Sequence, residues 1–221
     1  KQPVPPLPIE DTRALNQLDL GWTFNALGKQ YSRLSKHEQA YSYYEQAYQM
    51  GQAERRRHLL QPESEPAQRA QELENYSLTH MGLSYLDRQM LDEAQDALEA
   101  SLRMAEKSKN RIEEARAVGN LGIVYLQQNK LQRAQVHLMR DLALSKKVGE
   151  KENLAITLAN LGAAEMRLGQ LPKAKNRFEK ALVAAPKSGD QDTPINVLGH
   201  LASIHRKLGE LDRSAELSNQ Q

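Results

Sequence analysis

The sequence predicts an all-α chain: a right-handed superhelical solenoid of antiparallel helix pairs, about five of them, the last truncated. Three observations carry this. First, a pattern recurs. Val118, Asn120-Leu121-Gly122, Ala134 and Leu138 return forty positions later as Leu158, Asn160-Leu161-Gly162, Ala174 and Phe178, and a fixed period in this range signals stacked supersecondary units. Second, the spacing inside each copy is helical. Val118, Leu121, Gly122 and Tyr125 fall at i, i+3, i+4 and i+7, and Ala134, Leu138 and Leu142 form the facing stripe on a second helix. Third, Gly122 and Ala134 are small where two backbones must approach. A pair this thin leaves one apolar side bare, so the next pair must cover it.

In chain order, Lys1 to Ile9 carries Pro3, Pro5, Pro6 and Pro8 and is expected to be extended. It reads as a linker over 1–10, ahead of a single solenoid over 11–221, with Asp11 as a cap for the first helix. The first unit, at about 20–60, holds Phe24, Leu27-Gly28, Tyr31, Ala40, Tyr44 and Ala47; its Gly28 lies 54 positions before Gly82, so the period breaks here. Gln61-Pro62-Glu63-Ser64-Glu65-Pro66 supplies an inserted loop over 61–66. Regular units follow at about 67–108, 111–149 and 152–186, and a partial one at 194–221, with Thr193 expected to cap its first helix before Pro194. The chain lacks an initiator Met and stops inside a repeat, so it reads as a fragment.

Leu-Gly followed by Tyr three residues on, then Ala and a large apolar residue in the second helix, resembles the tetratricopeptide repeat. Gly169 and Gly209 match that family's inter-helix turn, and Pro186 its repeat-ending proline. The forty-residue period with Asn-Leu-Gly is similar to the long-helix branch of Pins/LGN adaptors, kinesin light chains and bacterial regulators. Departures are Glu165 and His205 in place of Tyr, Asp141 in place of Ala, and Gln89 and Asn129 in place of the turn glycine.

Composition excludes several classes of chemistry. The net charge of +2, from 30 basic and 28 acidic residues, gives no global pull toward nucleic acid. Arg55-Arg56-Arg57-His58 has no aromatic interleaving for base stacking, and reads as dipole complement and solvated surface. There is no cysteine, hence no disulfide or thiolate site; this fits cytosol or periplasm, with a slight lean to the cytoplasm. No apolar run is long enough for membrane insertion. His37, His58, His80, His137, His200 and His205 include no i, i+4 ligand pair, and there is no phosphate loop or nucleophile elbow. The reading is of no enzyme, no metal and no cofactor.

What remains is a surface. The resemblance implies that first helices line a concave groove, and that residues beside each Leu-Gly pair face a protein or peptide ligand. In register these are Asn25, Lys29 and Arg33, then His80 and Leu83, Asn120 and Ile123, Asn160 and Arg167, and His200. Asn120 and Asn160 recur at one spot, where an amide suits a peptide backbone. Leu83, Leu86, Ile123, Leu126 and Met166 form an apolar middle between basic ends, Lys29 and Arg33 against Arg167, Arg206 and Lys207, which fits an acidic and hydrophobic segment. Leu83 and Ile123 stand where a carboxylate clamp would need polar residues, so chaperone C-termini are not expected. A second reading is a regulatory segment of a larger protein whose groove is masked by its own chain. A third is self-association through the C-terminal end. Trp22 reads either as an aromatic anchor for a partner or as a cover for the N-terminal end.

Overall fold

Gly28, Gly82, Gly122 and Gly162 set the packing of their helix pairs. In a computed structural model that describes residues 17–149, 153–188 and 192–219, all four are buried against the large side chain sixteen positions on. A Cβ on Gly122 would lie 2.6 Å from Leu138 Cγ, and one on Gly28 2.6 Å from a Tyr44 ring carbon. No other residue lets the partner helix come so near.

The elements are α1 Gln17–Arg33, α2 His37–Arg57, α3 Glu65–Asp87, α4 Leu91–Ser108, α5 Arg111–Gln127, α6 Leu131–Val148, α7 Leu154–Arg167, α8 Leu171–Ser188, α9 Asp192–Lys207 and α10 Leu211–Ser218. Among the described residues there is no strand. The chain divides into two compact units, Lys1–Glu113 and Glu114–Gln221. In the first, α1 packs on α2, α2 on α3 and α3 on α4. Leu18, Phe24, Tyr43, Ala47, Ala70 and Leu73 form one buried cluster there, and Ala40, Tyr44 and Met81 another. In the second unit α7 packs on α6 and α8, and α9 on α8 and α10. Leu138, Leu158, Leu161, Phe178, Val197 and Leu201 are central to its core.

One turn geometry joins every pair. Ser35, Gln89, Asn129, Gly169 and Gly209 all have positive φ, between 55° and 80°. The residue after each donates its N–H back to the carbonyl five positions earlier, as in Lys130 N to Tyr125 O at 2.8 Å and Gln170 N to Glu165 O at 2.8 Å. This is a 6→1 closure of the helix end. Glycine is the least costly occupant, yet exposed Ser, Gln and Asn also adopt the conformation.

The other departures are compensated by a partner change. Tyr31 stacks on Tyr43 at 5.2 Å and Tyr125 meets His137 at 4.8 Å; at the same two positions of the fourth pair, Glu165 faces Arg177 at 3.4 Å. Asp141 is buried, accepting from Thr157 Oγ1 at 2.7 Å and Ser145 Oγ at 3.0 Å. Gly119 makes the room, since a Cβ there would come 2.7 Å from Asp141 Oδ2.

Three helix ends differ from expectation. The last pair begins at Asp192, so Thr193 lies inside α9 instead of capping it; first-turn N–H groups have no intrahelical partner, and a helix can start ahead of a proline. By the same logic α3 begins at Glu65, with Pro66 in its first turn. At the other extreme α8 runs through Pro186 to Ser188, a last-turn proline forgoing only one bond. The proline-rich start and Asp11 lie outside the described residues.

Candidate functional site

The face read from the sequence resolves differently residue by residue. In the first unit Lys29 and Arg33 are exposed on α1, and Leu83 is half-buried on α3. Asn25 is not on this face. It is 2% exposed and its Oδ1 accepts from Ser77 Oγ at 3.1 Å. The cause is a register slip of one: Asn25 stands three residues before Gly28, whereas His80, Asn120, Asn160 and His200 stand two before their Gly or Ala. One position on a helix is about 100°, enough to turn a side chain from surface to interior. Leu86 is likewise buried rather than part of an open floor.

His80 is half-buried and stacked on Tyr44, ring centroids 5.0 Å apart. It also meets Tyr76 at 4.3 Å, and Tyr76 in turn takes Trp22 edge-on at 5.4 Å. Trp22 and Tyr76 lie four residues before the position of His80 in their repeats, one turn back on the same helical face. Extending the i, i+4 spacing backward would have found them.

In the second unit Asn120 and Ile123 on α5, Asn160 and Ala163 on α7, and His200 and Ser203 on α9 are all half-buried. His200 stacks on Phe178 at 5.0 Å, as His80 does on Tyr44, and burial pushes its imidazole below the usual value of 6.5. Arg167 is exposed but engaged. Nη1 donates to Leu126 O at 2.8 Å and Nη2 to Asn129 Oδ1 at 2.7 Å, tying α7 to the end of α5. Its bonds are spent within the fold, unlike those of exposed Arg206 and Lys207. His205, in the Tyr position, is buried against Glu210.

Among the described residues no group of three or more His, Asp or Glu could hold a metal ion, and no helix is long and apolar enough to cross a membrane.

Helix pairs in a forty-residue register, joined by left-handed turns and closed on helical glycines, define a class of helical-repeat protein. Residues 73–147 match the model of the tetratricopeptide repeat, and the chain carries the tetratricopeptide-repeat fold. Solved structures agree. BtubC (BKLC) from P. vanneervenii superposes with a TM-score of 0.75 at 17% identity, covering 96% of this chain and 84% of that one. A Rap protein complexed with Competence and Sporulation Factor gives 0.72 at 16% identity, covering 96% and 55%. YrrB, a TPR protein with an unusual peptide-binding site, gives 0.55 at 16%, covering 91% and 84%. No curated protein matches the sequence.

Proposed function

We propose that this chain is a non-catalytic interaction domain that binds a peptide or helical segment of a partner protein on the face made by the first helices of its pairs. The observation that carries this is the repeated half-burial, in the second unit, of Asn120 and Ile123, Asn160 and Ala163, and His200 and Ser203. Each helix thus offers a polar group and, three residues on, a smaller or apolar one at the same place in its repeat. Amides can both donate to and accept from an extended backbone whatever its side chains. YrrB and the Rap complex make binding a natural use of this fold, though the site and not the fold decides the ligand.

The test is selection of binders from a displayed library of random peptides on the folded chain, followed by affinity measurement on Asn120→Ala/Asn160→Ala. Arg167 is left intact because its bonds hold helix ends together. A loss of about tenfold or more, equal to about 1.4 kcal/mol, with an unchanged melting curve supports the face. Unchanged affinity of every selected peptide refutes it.

A further inference from the structure

We propose that a cleft in the first unit binds an extended segment of a partner protein carrying one large apolar side chain between an acidic and a basic residue. This rests on the reading of the chain as a peptide-binding module, and gives the first-unit part of that face a specificity of its own. The cleft has a volume of about 790 Å³, within the range of small-ligand sites.

The cleft lies where the first unit departs from the forty-residue period. Helices α2 and α3 run 21 and 23 residues, against 18 and 17 for α4 and α5. The end of α2, the loop after it and α3 supply most of the residues that line it.

Its lining is ordered by chemistry. Trp22 and Tyr76, both half-exposed, meet edge to face at 5.4 Å, a surface suited to a large apolar or aromatic side chain. On the lip Leu59 is 65% exposed and Leu60 beside it 97%. Gln68, Gln71 and Asn75 line the wall at i, i+3 and i+7 along α3. Asn75 is buried with its Oδ1 taken by Ser101 Oγ at 2.5 Å, which leaves its NH₂ group to donate. Gln68 Nε2 donates to Glu63 O at 3.0 Å, so Gln71 and Asn75 are the amides left to address the backbone of an extended peptide without regard to its side chains.

Charge then selects the sequence. Glu63 and Glu72 line the side of the loop and α3, Lys107 and Lys109 the end of α4. Glu113 also lines the cleft, one anion to these two cations. Arg55 and His58 are engaged, with Glu74 at 2.5 Å and Glu54 at 3.2 Å. The cleft is therefore bipolar, and its occupant presents a carboxylate to Lys107 and Lys109 and a cation to Glu63 and Glu72.

Trp22 is the only tryptophan in the chain, so its fluorescence reports occupancy directly. The probes are capped hexapeptides with a central Leu-Phe, flanked by two Glu and two Lys in either order, by Glu alone or by Lys alone, and a control with Ser-Ser at the centre. One mixed-charge peptide is expected to shift the Trp22 emission and to bind about tenfold tighter than either uniformly charged one. The Ser-Ser control and Tyr76→Ala are expected to lose that binding. The exposed double variant Lys107→Glu/Lys109→Glu, which leaves the core untouched, is expected to turn the preference to the all-Lys peptide. Equal binding of all peptides, or an unchanged preference in the charge-reversed variant, overturns the cleft. So does binding to none, when library-selected peptides still depend on Asn120 and Asn160; the face on α5 and α7 then survives without it.

Discussion

Arg177→Ala should be among the most destabilising single changes in the second unit. Glu165 is 1% exposed, and its contact with Arg177 Nε is 3.4 Å long. Its second carboxylate oxygen is buried with no hydrogen-bond partner. Deleting one member of a buried ion pair leaves an uncompensated charge and costs about 3–5 kcal/mol. The length of this contact argues for about 3 kcal/mol. A chain of this size loses about 2–4 °C of melting temperature per kcal/mol, so the variant should melt about 6–12 °C lower. The protein carries its own control, because Tyr125 and His137 occupy the same two positions one repeat earlier. Glu165→Tyr/Arg177→His should therefore recover wild-type stability or exceed it, since apolar replacement of a buried pair is often favourable by about 1–4 kcal/mol. Melts followed by far-UV circular dichroism, with hydrogen exchange at α7 and α8, would read both variants. Arg177→Ala within about 0.5 kcal/mol of wild type, or a double variant weaker than the single, would refute the reasoning, the first value being ordinary for surface substitutions.

Three further outcomes follow from the same repeats. Burial holds the His200 imidazole below 6.5 in the folded chain, so the unfolded chain binds the proton first and stability falls as pH drops through about 6.5; His200→Asn should flatten that slope in parallel denaturation series at pH 5 to 8, and identical slopes would exclude it. Gly169 has φ +75°, and a Cβ added there would meet nothing within 4 Å, so Gly169→Ala should cost about 1–2 kcal/mol from backbone conformation alone. Gly122→Ala gains about 1 kcal/mol of helix propensity but loses about 1–3 by overpacking Leu138, a net cost of about 0–2 kcal/mol that chemical denaturation would read; a stabilised variant would refute the close packing.

The repeat itself was legible because its determinants are local and periodic. The spacing of Leu121, Gly122 and Tyr125 fixes a helix face, and the same set recurs in frame. Side-chain partnerships across helices were not. Nothing in the order of residues says that Arg167 would spend its donors on Leu126 O and Asn129 Oδ1. Nor does it say that Asp141 would be satisfied in its buried surroundings by Thr157 and Ser145. The misplacement of Asn25 shows how sharp a helical register is, since one residue separates a candidate ligand contact from a partner of Ser77. The cleft lies where α2 and α3 overrun the period, and element ends are the part of a helix that sequence marks most weakly.

The position two residues before the helical Gly or Ala carries structure, and on the reading proposed above it carries recognition as well. In the described contacts a histidine there lies over a ring of the preceding pair, His80 on Tyr44 and His200 on Phe178. By sequence position, where the preceding pair has a leucine, Leu98 or Leu138, the residue is asparagine, Asn120 or Asn160. A flat imidazole gains from stacking on a π-face, whereas an aliphatic side chain offers no such surface and an amide keeps its donors and acceptor for other partners. The two histidines are thereby held in orientation by their own fold, and substituting them would disturb packing along with any ligand contact. The asparagines follow leucines instead of rings, so a ligand-dependent effect should separate from stability at Asn120 and Asn160 first. If His80→Ala and His200→Ala weakened peptide binding while Asn120→Ala/Asn160→Ala did not, the amide row would be packing and the imidazoles the reading heads, the reverse of the order argued from their contacts.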